Sequence, residues 1–322
     1  NMNKFAILSV VGVMMTAWFL STSNLSGNGL ESEFQSFMAQ YGKSYNSQAE
    51  LDFRMKVFKE NMEEAAYMQS LNPKARFGAT KFSDWTKEEF SRLLTEYSED
   101  LGGYIEEYTK TSKDTTPKTW VKDFEKIQNQ GACGSCWTFA AAATYEAYRS
   151  IQGEKQVKLS EQELVDCVPD CSGCGGGLAN LAYDWLVGNE FCTEKSYPYE
   201  AKDASCSKSA CTSVDTLSKD RGSGLVTVGE PGIISKIQND GPVSISVDAS
   251  VWHNYQGGVL QNGCGMQTNH AVVVVGIDNH ENLDHWVIRN SWGQDWAEKG
   301  HMWMQIGKNL CNIERRPSYP IF

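Results

Sequence analysis

All ten cysteines of this 322-residue chain lie between Cys133 and Cys311, and none precedes them. Such a cysteine-rich back half fits a compartment where disulfides persist, and it commits that half to a fold tied by bridges. The front half has no such ties and must be held by packing. The first residues agree with a secretory route. Lys4 precedes an apolar run from Phe5 to Leu20, followed by Ser21, Thr22 and Ser23. This order matches a signal peptide over residues 1–23, and the run is shorter than the roughly 20 residues that span a bilayer. Asn24-Leu25-Ser26 is a glycosylation triplet set against the cleavage point. Lys and Arg total 29 against 40 Asp and Glu, a net charge of −11, which argues against a nucleic-acid partner. With 41% hydrophobic residues the chain is globular rather than disordered.

The front segment reads as helical. Phe34, Phe37, Met38 and Tyr41 form one apolar stripe, and Leu51, Met55, Phe58 and Met62 form a second. Beyond Pro73 the pattern turns extended, from Ala75 to Asp84. Thr86 and Glu89 have capping-box spacing, with Trp85 and Phe90 at the staple positions. Leu101 to Thr116 reads as a linker. In the back segment, Cys136 to Gln152 is an Ala-rich helix stopped by Gly153, and Ser160 with Glu163 suggests another capping box. Val243–Val247, Ala271–Ile277 and Trp286–Arg289 read as buried strands. Helices followed by strands indicate an α+β chain whose two lobes enclose a cleft.

Gln130-Gly131-Ala132-Cys133-Gly134-Ser135-Cys136-Trp137 opens the strong helix. A cysteine at a helix N-terminus faces unpaired N–H groups and the positive end of the dipole, which favour the nucleophilic thiolate. The Cys133-x-x-Cys136 pair is equally compatible with a redox couple or two zinc ligands. A thiolate nucleophile needs a base and a group to orient it. Of five histidines, His270 stands at the mouth of a buried strand, while His285 reads as a loop residue. The Asn290 amide can hold one imidazole tautomer, with Trp292 covering the bond.

Cys133-Gly134-Ser135-Cys136-Trp137, Asn269-His270-Ala271 and Asn290-Ser291-Trp292-Gly293, with Gln130 upstream, resemble the papain-like cysteine proteases in order and separation. In the front segment, Glu50, Arg54, Phe58 and Asn61 resemble the cathepsin L-type propeptide motif, with Ala65 and Gln69 replacing its usual Ile and Asn. Gly78 to Asp84 resembles the second propeptide motif, with Thr80 in place of Asn. The resemblance implies a papain-like fold, a helical lobe and a β-barrel-like lobe with a cleft between, preceded by a helical propeptide. It implies an inhibitory propeptide over 24–116 and a mature domain over 117–322. Cys136 is then the nucleophile, His270 its acid–base partner, Asn290 the orienting group and Gln130 an oxyanion donor. No cofactor or metal is implied.

The resemblance also implies bridges Cys133–Cys174, Cys167–Cys206, Cys192–Cys211 and Cys264–Cys311, and so removes the redox and zinc readings; Cys171 is then left unpaired, or exchanges with Cys192 or Cys211, which the sequence leaves open. Gly175, Gly176 and Gly177 correspond to the edge that binds extended substrate backbone. Leu178, Ala179, Ala249, Thr268 and Ala271 fall around the second specificity subsite, with Arg316 at its floor; Asn269 and Trp292 are further substrate-binding positions. Arg316 suggests acceptance of acidic side chains beside hydrophobic ones. Ala297 and His301 depart from the family's usual Gly and aromatic, and read as packing changes. The propeptide is expected to occupy the cleft in reverse, to be loosened by acid through carboxylates such as Asp84, and to be cut near Thr115 to Thr119. Expected partners are protein and peptide substrates, the chain's own propeptide as inhibitor, and cystatin-type inhibitors, around a monomer in a lysosome, digestive vacuole or the exterior. A non-catalytic relative would lack one of Cys136, His270 and Asn290. A peptide ligase using the same acyl-enzyme is not distinguished by sequence.

Overall fold

The computed structural model describes residues 27–95, 106–211 and 221–322. The expected signal peptide and the Asn24 triplet lie outside them. The chain divides after Lys43 into two compact units. In the first, α1 (Gly27–Tyr41) carries the apolar stripe, with Phe34 and Phe37 buried and their rings 5.9 Å apart.

The second unit starts at Ser44. Ser47 Oγ accepts the Glu50 N–H and opens α2 (Gln48–Leu71), which buries Phe58, Asn61, Met62, Ala65 and Met68. Strand β1 (Ala75–Phe77) follows. Helix α3 (Lys87–Ser91) has the full capping box: Thr86 Oγ1 accepts from Glu89 N–H, and the Glu89 carboxylate accepts from Thr86 N–H at 2.8 Å. At the staple positions, Trp85 and Phe90 both pack edge-on against Phe82, at 5.3 and 5.5 Å. The stretch read as linker contains strand β2 (Glu106–Tyr108).

Three further helices, α4 (Cys136–Ile151), α5 (Glu161–Cys167) and α6 (Ala179–Leu186), build a helical core. Helix α4 is buried from Cys136 to Arg149, and its buried carboxylate, Glu146, is paired with Lys158 at 3.0 Å, as a charge removed from water requires. Its alanines let neighbours approach closely, so a larger side chain there would cost about 1–3 kcal/mol in overpacking. Helix α5 has only half of its expected capping box. Ser160 Oγ accepts from Glu163 N–H, but the Glu163 carboxylate accepts from Cys192 N–H at 2.7 Å. The Ser160 N–H that would complete the box is already bonded to the Cys192 carbonyl.

The remaining elements are β3 (Lys118–Thr119), β4 (Gly222–Val226), α7 (Gly229–Asn239), β5 (Val243–Val247), β6 (Tyr255–Leu260), β7 (His270–His280), β8 (Leu283–Arg289), β9 (His301–Gln305) and β10 (Ser318–Ile321). The sheet runs β1-β6-β9-β8-β7-β5-β10-β4-β2, with β3 also on β7. Strand β7 is the wall between two cores. Ala271, Val273 and Val275 pack into the helical core, while Val272 and Val274 face the sheet core, as the two-residue period of a strand requires. The fold is thus α+β, a helical core and a sheet core sharing one strand as their wall. Disulfides join Cys133 to Cys174, Cys167 to Cys206, Cys192 to Cys211 and Cys264 to Cys311, while Cys136 and Cys171 are thiols. No described helix is long and apolar enough to cross a membrane.

Candidate active site

Cys136 is the first residue of α4, and Ser135 before it makes no side-chain cap. The open N-terminal turn therefore keeps its positive end toward the sulfur. The Sγ accepts from the Ala271 N–H at 3.3 Å, so the thiol is pinned between α4 and the start of β7.

His270 begins β7, next to that contact. Its Nε2 lies 2.8 Å from Asn290 Oδ1, and the same oxygen accepts the Ser291 N–H at 2.8 Å. An oxygen already accepting from the backbone must accept from the ring as well, so His270 carries its proton on Nε2. Nδ1 is left as the basic nitrogen, and it is buried with no protein partner. Trp292 stacks on the imidazole at 4.8 Å, and Trp252 meets it edge-on at 6.1 Å. These rings fix the imidazole plane and exclude water from the Asn290 bond.

Gln130 is fully buried six residues before Cys136. Its Oε1 accepts from Ser291 Oγ at 2.7 Å, which orients the amide so that Nε2 donates to the Cys133 and Leu93 carbonyls, each at 3.0 Å. Leu93 belongs to the front segment, which therefore occupies the amide assigned to an oxyanion. Thr95 goes deeper. Its N–H donates to the Asn269 carbonyl at 2.7 Å, and its hydroxyl lies 3.3 Å from the Gly134 carbonyl and 3.8 Å from Cys136 Sγ. A Cβ on Gly134 would fall 2.1 Å from the Thr95 methyl, and one on Gly176 would fall 2.9 Å from Thr95 Cβ. Glycine at both positions is what admits a chain into the cleft.

The site is thereby closed to water. Burial pushes the Cys136 thiol up, against the pull of the Ala271 N–H, and pushes His270 down to about 4. Thiol and neutral imidazole are the stable forms in this plugged state.

One pocket is lined by Thr95, Cys136, Gly177, Leu178, Ser246, Thr268, Asn269, His270, Ala271, Arg315 and Arg316. The half-buried Arg316 thus shares a pocket with the thiol and imidazole, and burial lowers its pKa. Ala179 and Ala249 are buried outside that lining; the Ala249 N–H is bonded to the Asn269 amide oxygen at 2.9 Å. Sequence reasoning missed Thr95 and Leu93, whose local pattern carries no signal for the cleft.

The front segment docks on a separate surface. Phe82 and Phe90 pack edge-on against Trp292 at 5.5 and 5.3 Å, and Lys81 donates to the Trp292 carbonyl and pairs with Asp295. Asn61 donates to the Ser83 and Trp85 carbonyls, while Arg54 grips the Glu89 carboxylate with both terminal nitrogens and bonds the Asp84 carbonyl. Asp84 itself is buried and accepts the Tyr45 hydroxyl at 2.9 Å.

Residues 111–321 match the papain family cysteine protease model, and residues 34–90 match the cathepsin propeptide inhibitor domain. A cysteine proteinase of Trypanosoma brucei brucei is 34% identical over 99% of this chain and 74% of its own length. The thiol protease aleurain of Arabidopsis thaliana is 35% identical over 89% of this chain and 83% of its own. The solved digestive procathepsin L 3 of Tenebrio molitor larval midgut superposes with a TM-score of 0.79, at 28% identity, over 91% of this chain and 99% of that one. With the cysteine, imidazole and amide around one plugged cleft, these matches establish that the chain belongs to the papain family of cysteine proteases and carries a cathepsin-type inhibitory propeptide.

Proposed function

We propose that this chain is the precursor of an endopeptidase in which Cys136 and His270 act as thiolate and imidazolium once the propeptide leaves. The carrying observation is the Asn290 oxygen, which accepts both Ser291 N–H and His270 Nε2–H and so leaves Nδ1 for the sulfur. Cys136 Sγ attacks the peptide carbonyl carbon, His270 gives its proton to the leaving amine, and water then releases the acid from the thioester with His270 as base. Gln130 Nε2 and the Cys136 backbone N–H are the donors for the oxyanion; one such donor commonly contributes about 3 kcal/mol to lowering the barrier.

The proposed boundaries are a propeptide over 24–116 and a mature domain from 117, with the cut near Thr115 to Thr119 and activation favoured by acid. We assign Gly176 and Gly177 to substrate backbone, and Leu178, Ala179, Ala249, Thr268, Ala271 and Arg316 to the second subsite. The proposed setting is the secretory pathway, ending in a lysosome, digestive vacuole or the exterior, with a monomeric enzyme open to cystatin-type inhibitors. The test is hydrolysis of a fluorogenic peptide by the acid-processed chain, titrated with an epoxide inhibitor. One equivalent should abolish activity and label Cys136, and Cys136→Ala should be inactive and unlabelled. Hydrolysis that survives Cys136→Ala would reject the reading.

A further inference from the structure

Strand β2 pairs in parallel with β4, the last strand of the protease sheet, with Glu106 opposite Gly224 and Tyr108 opposite Val226. Thr227 N–H donates to the Tyr108 carbonyl. Glu106 and Tyr108, two apart on a strand, point to one face. There the Glu106 carboxylate accepts the Tyr319 hydroxyl at 3.3 Å, and the Tyr108 hydroxyl meets Ser235 at 3.2 Å. Tyr108 is 5% exposed, and its ring lies 4.7 Å from the Lys236 ammonium. That ammonium is itself buried, 3.5 Å from the Tyr319 ring and 3.6 Å from Asp240. This is a sheet edge combined with a socket, the arrangement of β-strand addition with side-chain specificity. The paired strands β2 and β4 stand at the opposite end of the strand order from β1, with Tyr319 on the adjoining β10.

Given the proposed cut near Thr115 to Thr119, on which this inference rests, β2 departs with the propeptide, while β4, Ser235, Lys236 and Tyr319 remain on the mature domain. We propose that the mature enzyme carries an exosite here, which captures protein substrates by an extended acid-x-tyrosine segment laid parallel to β4. The seated Glu106-Glu107-Tyr108 shows the chemistry of that occupant: main-chain bonds to an open edge, a carboxylate on the Tyr319 hydroxyl, and a phenol ring over the Lys236 cation.

The test uses the full chain, inactivated by Cys136→Ala, with its own strand erased by Glu106→Gly, Glu107→Ser and Tyr108→Gly. A fluorescent peptide Glu-Glu-Tyr-Thr-Lys-Thr-Ser should bind this chain saturably, and at least tenfold more weakly to the Cys136→Ala chain that keeps its strand. Replacing the peptide's Tyr by Ala, or Lys236→Met in the protein, should each weaken binding at least tenfold. No saturable binding, or binding indifferent to the peptide tyrosine, overturns the exosite whether or not Lys236→Met folds. In the processed enzyme, appending this segment to a protein substrate should lower KM at least threefold with kcat unchanged, and an unchanged KM overturns it. Absence of any hydrolysis would instead count against the proteolytic reading, leaving the binding measurement to decide the exosite.

Discussion

The Gln130 side-chain amide donates to the Leu93 carbonyl at 3.0 Å, so the donor assigned to the oxyanion is held by the inhibitory segment. The propeptide therefore blocks the site twice, with Leu93 on the oxyanion donor and Thr95 beside the thiol.

Gln130→Ala should lower kcat by about 10²–10³-fold with a much smaller change in KM, because the lost bond matters mainly when charge develops on oxygen. Steady-state kinetics on a fluorogenic peptide measures this. A change confined to KM would remove Gln130 from the oxyanion role.

Arg54 ties α2 to α3 through both Glu89 oxygens and the Asp84 carbonyl. Glu89 pulls the Arg54 pKa up, and Arg54 pulls that of Glu89 down, each by direct hydrogen bonding. Removing the guanidinium strands partly buried acceptors, a loss of about 1.5–3 kcal/mol. Arg54→Ala should weaken inhibition by the propeptide about tenfold or more, measured as the inhibition constant of the propeptide added in trans. An unchanged constant would show that α3 holds its place without this bond.

His253 bears on the pH dependence. It is 5% exposed, its Nε2 lies 3.9 Å from Glu64, Lys87 pairs with the same carboxylate, and the Phe90 ring is 5.3 Å away. Burial lowers its pKa, outweighing the pull of Glu64. Loss of the propeptide removes the Phe90 cover, so the imidazole takes up its proton more readily in the released form than in the docked one. Docking is strongest where the released imidazole is neutral and weakens as pH falls through its titration, until the docked form is protonated too. Propeptide release should accelerate from about pH 7 to about pH 5, and His253→Phe should flatten part of that rise. If the slope persists in His253→Phe and disappears in Asp84→Ala, the carboxylate is the sensor.

Arg316 lines the pocket that holds Cys136 and His270. Peptide-library profiling of the mature enzyme should find acidic side chains accepted in the second subsite, and Arg316→Ala should cut the acidic-to-leucine ratio about tenfold or more, as removal of a partly desolvated charge partner does. An unchanged ratio would mean that the guanidinium does not face the substrate.

The cysteine, histidine and amide were legible because their chemistry demands particular residue types in a family-like order, and strand β7 because Val272 to Val275 are apolar on both faces. Strand β2 was not, since its partner Gly222-Ser-Gly-Leu-Val226 has no alternation and its hold comes from Lys236 and Tyr319, far along the chain. The capping box at Thr86 formed in full, while that at Ser160 lost its second bond to Cys192, a competitor that only the tertiary fold brings near. Thr95 entered the cleft for the same kind of reason: its contacts are to Asn269, Gly134 and Cys136, none of them local.

Under the proposed mechanism the propeptide keeps Cys136 a neutral thiol, and its removal lets sulfur and imidazole ionise together. The most direct measurement is the rate of Cys136 alkylation by iodoacetamide against pH, before and after propeptide removal. The processed enzyme should react on a plateau reaching well below the ordinary thiol range near pH 8.5, with the precursor protected throughout and His270→Ala moving the processed profile back to that range. A single thiol titration near that value in the processed enzyme, indifferent to His270→Ala, would contradict the account.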